Sequence, residues 1–381
     1  MTLMVRDEAD VIAAMLEHHL AQGVDLIIAT DNGSVDGTRE ILAEYASHGV
    51  LELADHPTHD KNQRDIVTAM ARRAAVDFGA DWVLNADADE FFVPVDHSLS
   101  LREAFARISP TLGSFRASVV NLTGAPAKDG SGLRRLTWRD ERTEEVLAAE
   151  AGLRSQPTAN AIHVGAAKVT VKQGNHHVSI PSLGQPAPEV AIEVLHLPWR
   201  SFSQFDRKVR AAGLAYAGNP NISPSPRHHG LRDYRFAQAG ILPDLYLLRH
   251  PDPAAYGSDS SLIFDDFLPR ELEALLDAGT ARCPELLSAT LDDPTHPADY
   301  SDEDRALAKT VAAAALVIDH ERTEALHQAV RENKAVRRAL GRPDSLDVRV
   351  GSAVLAVPRA VARVAERLTG RTILTTRQER R

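Results

Sequence analysis

The chain has 381 residues, 44% of them hydrophobic, with 43 Lys and Arg against 53 Asp and Glu and a net charge of −10. That is enough apolar material for one large core or two, while no apolar run approaches the length needed to cross a bilayer, and the acidic balance argues against nucleic acid as a partner of the body. With Cys283 as the single cysteine, neither a disulfide nor a thiolate metal site is expected, no signal peptide is expected before the first element, and a reducing, cytoplasmic setting fits.

In chain order, Thr2 to Val5 reads as a short strand, and Val11, Ile12, Met15, Leu16 and Leu20 recur at helical spacing up to Gly23. Val24 to Ala29 is a β-branched strand, Asp31-Asn32-Gly33-Ser34 a turn, and Ile41, Leu42 and Tyr45 the apolar face of a helix closed by Gly49. Val50 to Leu53 is a third strand, Ile66, Val67, Met70, Ala71 and Ala74 line a third helix, and Trp82 to Ala86 is a fourth strand. Strands alternating with helices predict a parallel sheet, with Asp31, Asp55 and Asp87 just past three strand ends and able to meet in one pocket.

The segment Trp82-Val83-Leu84-Asn85-Ala86-Asp87-Ala88-Asp89-Glu90-Phe91-Phe92 pushes three carboxylates out of an apolar strand. If the chain stays extended, Asp87 and Asp89 point to one face and Ala88 turns away. Magnesium or manganese is held by one or two carboxylates and completed by phosphate oxygens, so the pair implies a phosphorylated substrate as well as an ion. A solvated acidic turn is the alternative, and the apolar flanks argue against it. Asp302-Glu303-Asp304 has the same spacing without a preceding strand, which shows how little the bare pattern means.

Farther on, Lys168 to Gly174 is an alternating, strand-like run before His176 and His177, and Val190 to Leu195 is a strand before His196 and the turn at Pro198. A histidine at a strand end completes a metal site, moves a proton, or is merely structural. Asn219 to Pro226 reads as a loop or linker, Arg227-His228-His229-Gly230 touches an acceptor or only water, and a helix begins at Ser301 with Asp304 and runs through Val330. From Lys334 to Arg381 twelve basic residues face four acidic ones, a net of +8 that leaves −18 on the rest. Arg359, Arg363, Arg367 and Arg371 form a stripe that suits an anionic membrane surface or, equally simply, solvent.

There is no Gly-x-Gly-x-x-Gly after a strand and no phosphate loop ending in Gly-Lys-Ser or Gly-Lys-Thr, so dehydrogenase and ATPase readings lose their support. Four segments in order, Val5-Arg6-Asp7-Glu8, Glu17 and His19 before Gly23-Val24, Asp31-Asn32-Gly33-Ser34-Val35-Asp36-Gly37-Thr38, and Asp87-Ala88-Asp89-Glu90-Phe91, resemble a glycosyltransferase of the family 2-like type with a GT-A fold. The resemblance extends to Leu195-His196-Leu197-Pro198-Trp199-Arg200-Ser201 with Gln204-Phe205 and Lys208, about residues 1 to 215. It implies an α/β fold with a Rossmann-like, mostly parallel central sheet, flanking helices and a C-terminal helical region. The organisation expected is a GT-A domain over 1–215, a loop and helical region over 216–333 and a basic amphipathic tail over 334–381.

By that resemblance the protein moves a sugar from a nucleotide-diphosphate donor to an acceptor hydroxyl, saccharide or lipid-linked, with Mn2+ or Mg2+ and inversion, in cell-surface polysaccharide or glycoconjugate synthesis. Asp87, Asp89 and His196 are then the metal ligands. Arg6, Glu8, Asp31, Lys61, Gln63, Arg64 and Arg200 are donor contacts, with Lys208 either beside the diphosphate or on a solvated face. The catalytic base is open among His176, His177, Glu90 and a carboxylate of Asp140-Glu141. A sugar nucleotidyltransferase would need a Gly-rich phosphate loop where this chain has Arg6-Asp7-Glu8-Ala9-Asp10, and an aspartyl phosphatase would carry its Asp pair after the first strand. A non-catalytic polysaccharide-assembly subunit would be expected to lose Asp87 or Asp89, and both are present.

Overall fold

The computed structural model describes residues 1–58, 63–218, 229–292 and 300–339. The first half alternates β1 (Thr2–Val5), α1 (Ile12–Ala21), β2 (Ile27–Asp31), α2 (Thr38–Ser47), β3 (Leu51–Asp55), α3 (Gln63–Val76) and β4 (Trp82–Ala86). There follow β5 (Glu90–Pro94), α4 (Leu101–Arg107), β6 (Ser114–Thr123), β7 (Trp138–Asp140), a one-turn α5 (Glu144–Val146), β8 (Asn160–Val164) and β9 (Ile192–His196). The remainder is α6 (Phe202–Gly218), α7 (His229–Gln238), α8 (Leu242–Arg249), β10 (Leu262–Phe264), α9 (Phe267–Asp277), α10 (Pro284–Leu291) and α11 (Asp302–Ala339).

The strands make a ten-stranded sheet in the order β10-β7-β6-β8-β4-β1-β2-β3, with β9 joining β5 to β6. Parallel pairing holds for β4-β1-β2-β3 and for β6 with β9, while β8, β7, β10 and β5 pair antiparallel, so the sheet is mixed rather than mostly parallel. Side chains alternate across it: Ile27, Ala29 and Leu84 enter a core with α1, whereas Ile28 and Val83 meet Val67, Met70 and Ala71 of α3 on the other side. Lys168 to Gly174 is not a strand; only a bridge between Val171 and Val178 forms there. The Asp302-Glu303-Asp304 triplet opens α11, where the Asp304 carboxylate accepts from the Ser301 hydroxyl at 2.7 Å, an ordinary helix start.

A second core is helical and joins Trp199 and Phe205 to Phe236, Leu245 and Tyr246 and to Val311 and Ala315 of α11. Residues 262–291 do not belong to it. Leu268, Leu272, Leu287 and Leu291 pack with Leu3, Ile12 and Leu16, so the stretch 216–333 is divided between two cores and the first is completed by a returning segment. Buried Glu17 of α1 secures that return, accepting from the backbone amides of Arg282 at 2.9 Å and Cys283 at 2.7 Å and from the Tyr45 hydroxyl at 2.8 Å. Among the described residues no helix is long and apolar enough to cross a membrane. Lys61, the loop 219–228 and the arginine stripe of the tail lie outside the described residues.

Candidate active site

Because β4, β1 and β2 are neighbours and parallel, the loops leaving them converge at one sheet edge, where open α/β sheets hold ligands. In the loop after β2, one oxygen of buried Asp31 accepts from the amides of Gly33 at 2.9 Å and Ser34 at 3.0 Å, and its buried Oδ1 has no hydrogen-bond partner among the described residues. Gly33 is left-handed at φ 74°, and a Cβ there would stand 3.3 Å from the Pro57 carbonyl. The Arg6 guanidinium closes the corner by donating to the Asn32 carbonyl at 2.6 Å. Asp55 lies elsewhere: its carboxylate faces Arg39 at 2.7 Å on the exposed surface, so of the three strand-end aspartates only Asp31 and Asp87 are left at this edge of the sheet.

The chain turns at residues 87–90 instead of staying extended. The Glu90 amide donates to the Asp87 carbonyl at 3.2 Å, and the Glu90 carboxylate accepts from the Asp87 amide at 3.0 Å, so a tight turn, not strand alternation, aims the two aspartates. Asp87 Oδ1 accepts from Asn175 at 3.1 Å and Gln63 at 3.4 Å. Asp89, 1% exposed, accepts from Lys208 Nζ at 2.6 Å, with Arg200 and His196 nitrogens each 3.6 Å away.

These two carboxyls are driven apart. Burial and the charges of Glu90 and Asp89 hold Asp87 well above the usual carboxylate range. Burial acts the same way on Asp89, but Lys208, His196 and Arg200 outweigh it and hold that carboxyl well below the range. Glu90 and Glu8 are both raised by burial, against the pull of His196 on the first and of Arg200 and Lys208 on the second. The chemistry of this donor set fits a divalent cation, since among the described residues Glu8, Asp10, Asp87, Asp89 and Glu90 face Arg200 and Lys208 as fixed cations, although Asp87, Asp89 and His196 do not bring three ligand atoms within 4.8 Å of one another. His196 fits as well. Its Nδ1 donates to Asn121 Oδ1 at 2.9 Å, so Nε2 faces the Asp89 oxygen with either a proton or an ion between them. Lys208 already holds one Asp89 oxygen, on a half-exposed side chain.

His176 is held differently. Its Nδ1 lies 3.0 Å from Asn160 Oδ1, and the Asn160 amide donates to Glu90 at 2.7 Å, which fixes the side chain and leaves the imidazole Nε2 unprotonated. Burial, helped by His177 and Arg116, lowers its pKa and keeps the ring neutral. His177 does not join it: it is exposed beside Arg116 at 3.2 Å. Glu90 is buried, its Oε2 accepting from both the Asp87 amide and Asn160 as a brace, and Asp140 is tied to Arg142 at 2.7 Å.

Of the expected donor contacts, Arg6 and Asp31 lie together and Gln63 reaches Asp87, its other end accepting from Gln173 at 2.9 Å. Arg64 points outward, 3.9 Å from Asp65. Arg200 is a correction: it is 0% exposed and saturated by Glu8 and Asp10, so it has no surface to offer a substrate and instead ties the loop after β1 to the chain beyond β9. Glu8 is committed to that contact. Lys208 is the cation at the opening. Asn121, Asn160, Asn175 and Asp10 went unread because single polar residues at strand ends and loops carry no periodic signal. Asn175 does stand out once the backbone is known, buried with φ at 62°, a left-handed conformation that asparagine tolerates.

Residues 1–118 match the sequence profile described as Glycosyltransferase family 92, a stretch that contains the Asp31 loop and the turn at 87–90. The chain is a glycosyltransferase. The matching family is number 92, whereas the motifs resemble family 2. No curated protein matches the chain. Among solved structures, S. aureus TarS 1–349 is 12% identical over 87% of this chain and 91% of that one, with a TM-score of 0.30. The same TarS segment in complex with UDP-GlcNAc gives 14%, 87%, 91% and 0.31, and S. aureus TarS, of which 53% is covered, gives 14%, 84% of this chain and 0.32.

Proposed function

We propose that this glycosyltransferase, with a GT-A type of domain, moves a sugar from a nucleoside-diphosphate donor to a saccharide or lipid-linked hydroxyl with inversion, using Mn2+ or Mg2+. The observation that carries the reading is the charge imbalance at the end of β4, where, among the described residues, Asp87 and Glu90 crowd Asp89 while Lys208, His196 and Arg200 are drawn to Asp89. Asp87, Asp89 and His196 would hold the ion, which when bound opposes the charge gathering on the departing diphosphate. Lys208 adds a second positive group on the same side. The unpartnered Asp31 oxygen accepts a base imino proton or ribose hydroxyl, with Arg6 alongside. His176 Nε2 takes the acceptor proton, and because the base and the leaving group act on opposite sides of the sugar, one displacement inverts the anomeric centre. Cell-surface polysaccharide assembly is the setting in which such an acceptor is met.

The test is to incubate the purified protein with manganese and a panel of nucleotide sugars and to measure released nucleoside diphosphate. Release from one donor, abolished by EDTA and restored by manganese, is expected. No release from any donor, or release indifferent to EDTA, would overturn the metal-dependent reading.

A further inference from the structure

We propose a second metal centre, a Zn2+ site made by Glu44, His48 and Cys283. A single cysteine argues against thiolate coordination only while its neighbours are unknown, and the fold supplies them. Glu44 and His48 stand one turn apart on α2, with His48 Nε2 at 3.5 Å from Glu44 Oε1, and the Cys283 thiol enters from the start of α10. The three ligand atoms lie within 4.8 Å of one another, and among the described residues no other trio of His, Cys, Asp and Glu does so.

The ligand types select the ion. Sulfur, imidazole nitrogen and carboxylate oxygen together suit zinc, whose bonds of about 2.0 to 2.3 Å bring such ligands to roughly 3.3 to 3.8 Å apart. The remaining contraction falls on Glu44 and His48, both exposed and free to change rotamer, while the buried thiol stays fixed. Zinc is held by the thiolate, so binding there would release the thiol proton to solvent. Three protein ligands leave a fourth position for water. The ion would join residues 235 or more apart in sequence and staple the returning α10 onto α2, which follows the Asp31 loop directly.

The site stands apart from the carboxylate edge and does not rest on the glycosyl-transfer reading. Cobalt is the probe, added to the full-length, chelator-treated protein and followed by near-ultraviolet absorption. One equivalent should give a thiolate-to-cobalt charge-transfer band that is absent in Cys283→Ser and weakened in His48→Gln and Glu44→Gln. Hard oxygen ligands at Asp87 and Asp89 give no such band, so the readout belongs to this site alone. Zinc should raise the thermal midpoint of the unmodified protein by more than that of His48→Gln, an exposed change that spares the core and leaves the carboxylate edge intact. Absence of the band, its persistence in Cys283→Ser, or an equal zinc shift in His48→Gln would each overturn the proposal.

Discussion

Arg235 and Asp319 meet in the helical core one to one, with two guanidinium nitrogens 2.6 to 2.8 Å from the carboxylate, whereas at the end of β4, among the described residues, five carboxylates share two fixed cations. Both are buried and both are hydrogen-bonded. The difference is neutrality. A balanced buried pair needs nothing from outside and serves the fold, while an unbalanced group stays poised for a cation or a ligand that carries one. Cutting each region separately shows whether the contrast is real.

The largest expected effect is Asp89→Asn, which should lower turnover on the order of 10³-fold because it removes the anchor of the cationic side of the site. Circular dichroism and nucleoside-diphosphate release together check that activity falls without the fold. Asp319→Asn should do the reverse. Leaving Arg235 buried and unpaired costs about 3–5 kcal/mol of stability, measured by urea unfolding, while kcat of the protein still folded is unchanged. His176→Gln should reduce kcat about 10²-fold with little change in donor KM. In the unmodified protein, activity should climb with pH through a pKa below the ordinary histidine value of 6.5, as expected of a base active when neutral, and that limb should vanish in the variant.

The fourth outcome concerns stability and has a definite sign. Asp87 and Glu90 have folded pKa values above their unfolded ones, so their contribution is favourable while they are protonated and is lost as pH rises through the raised values. Asp89 is depressed and contributes in the opposite sense, losing its benefit only as pH falls through a value well below 3.8. In chelator, Asp87→Asn should therefore raise the thermal midpoint at pH 8 although it damages activity, and manganese should stabilise the unmodified protein more at pH 8 than at pH 5. A midpoint lowered by the substitution would mean that Asp87 is compensated after all. The smallest effect expected is on partitioning: deleting residues 345–381 should move the protein from membrane to soluble fractions, and unchanged partitioning would make the basic stripe a solvated face.

The first four strands and three helices are legible because each apolar run has one period and a turn residue at its end, as at Gly23 and Gly49. The carboxylates at 87 to 90 are legible as a group but not in their geometry, since the turn depends on Glu90 folding its side chain back onto the Asp87 amide. Lys208 illustrates a second limit. Its position on α6 says only that it lies off the apolar face; the packing of that helix decides that the ammonium reaches Asp89. The destination of α9 and α10 is hidden for the same reason. An amphipathic helix declares that it will be covered, but Leu272 and Leu287 do not name Leu16 as the partner.

That returning segment bears on how the protein is made. Two of the hydrogen-bond donors to Glu17, the backbone amides of Arg282 and Cys283, are synthesised more than 260 residues after it. Until then α1 has neither its apolar lid nor a complete set of partners for a carboxylate that will end up out of water, so this layer waits, incompletely closed, while the intervening residues are synthesised. A chaperone that shelters the exposed side of α1 would find its longest window of opportunity in this protein's nascent chain.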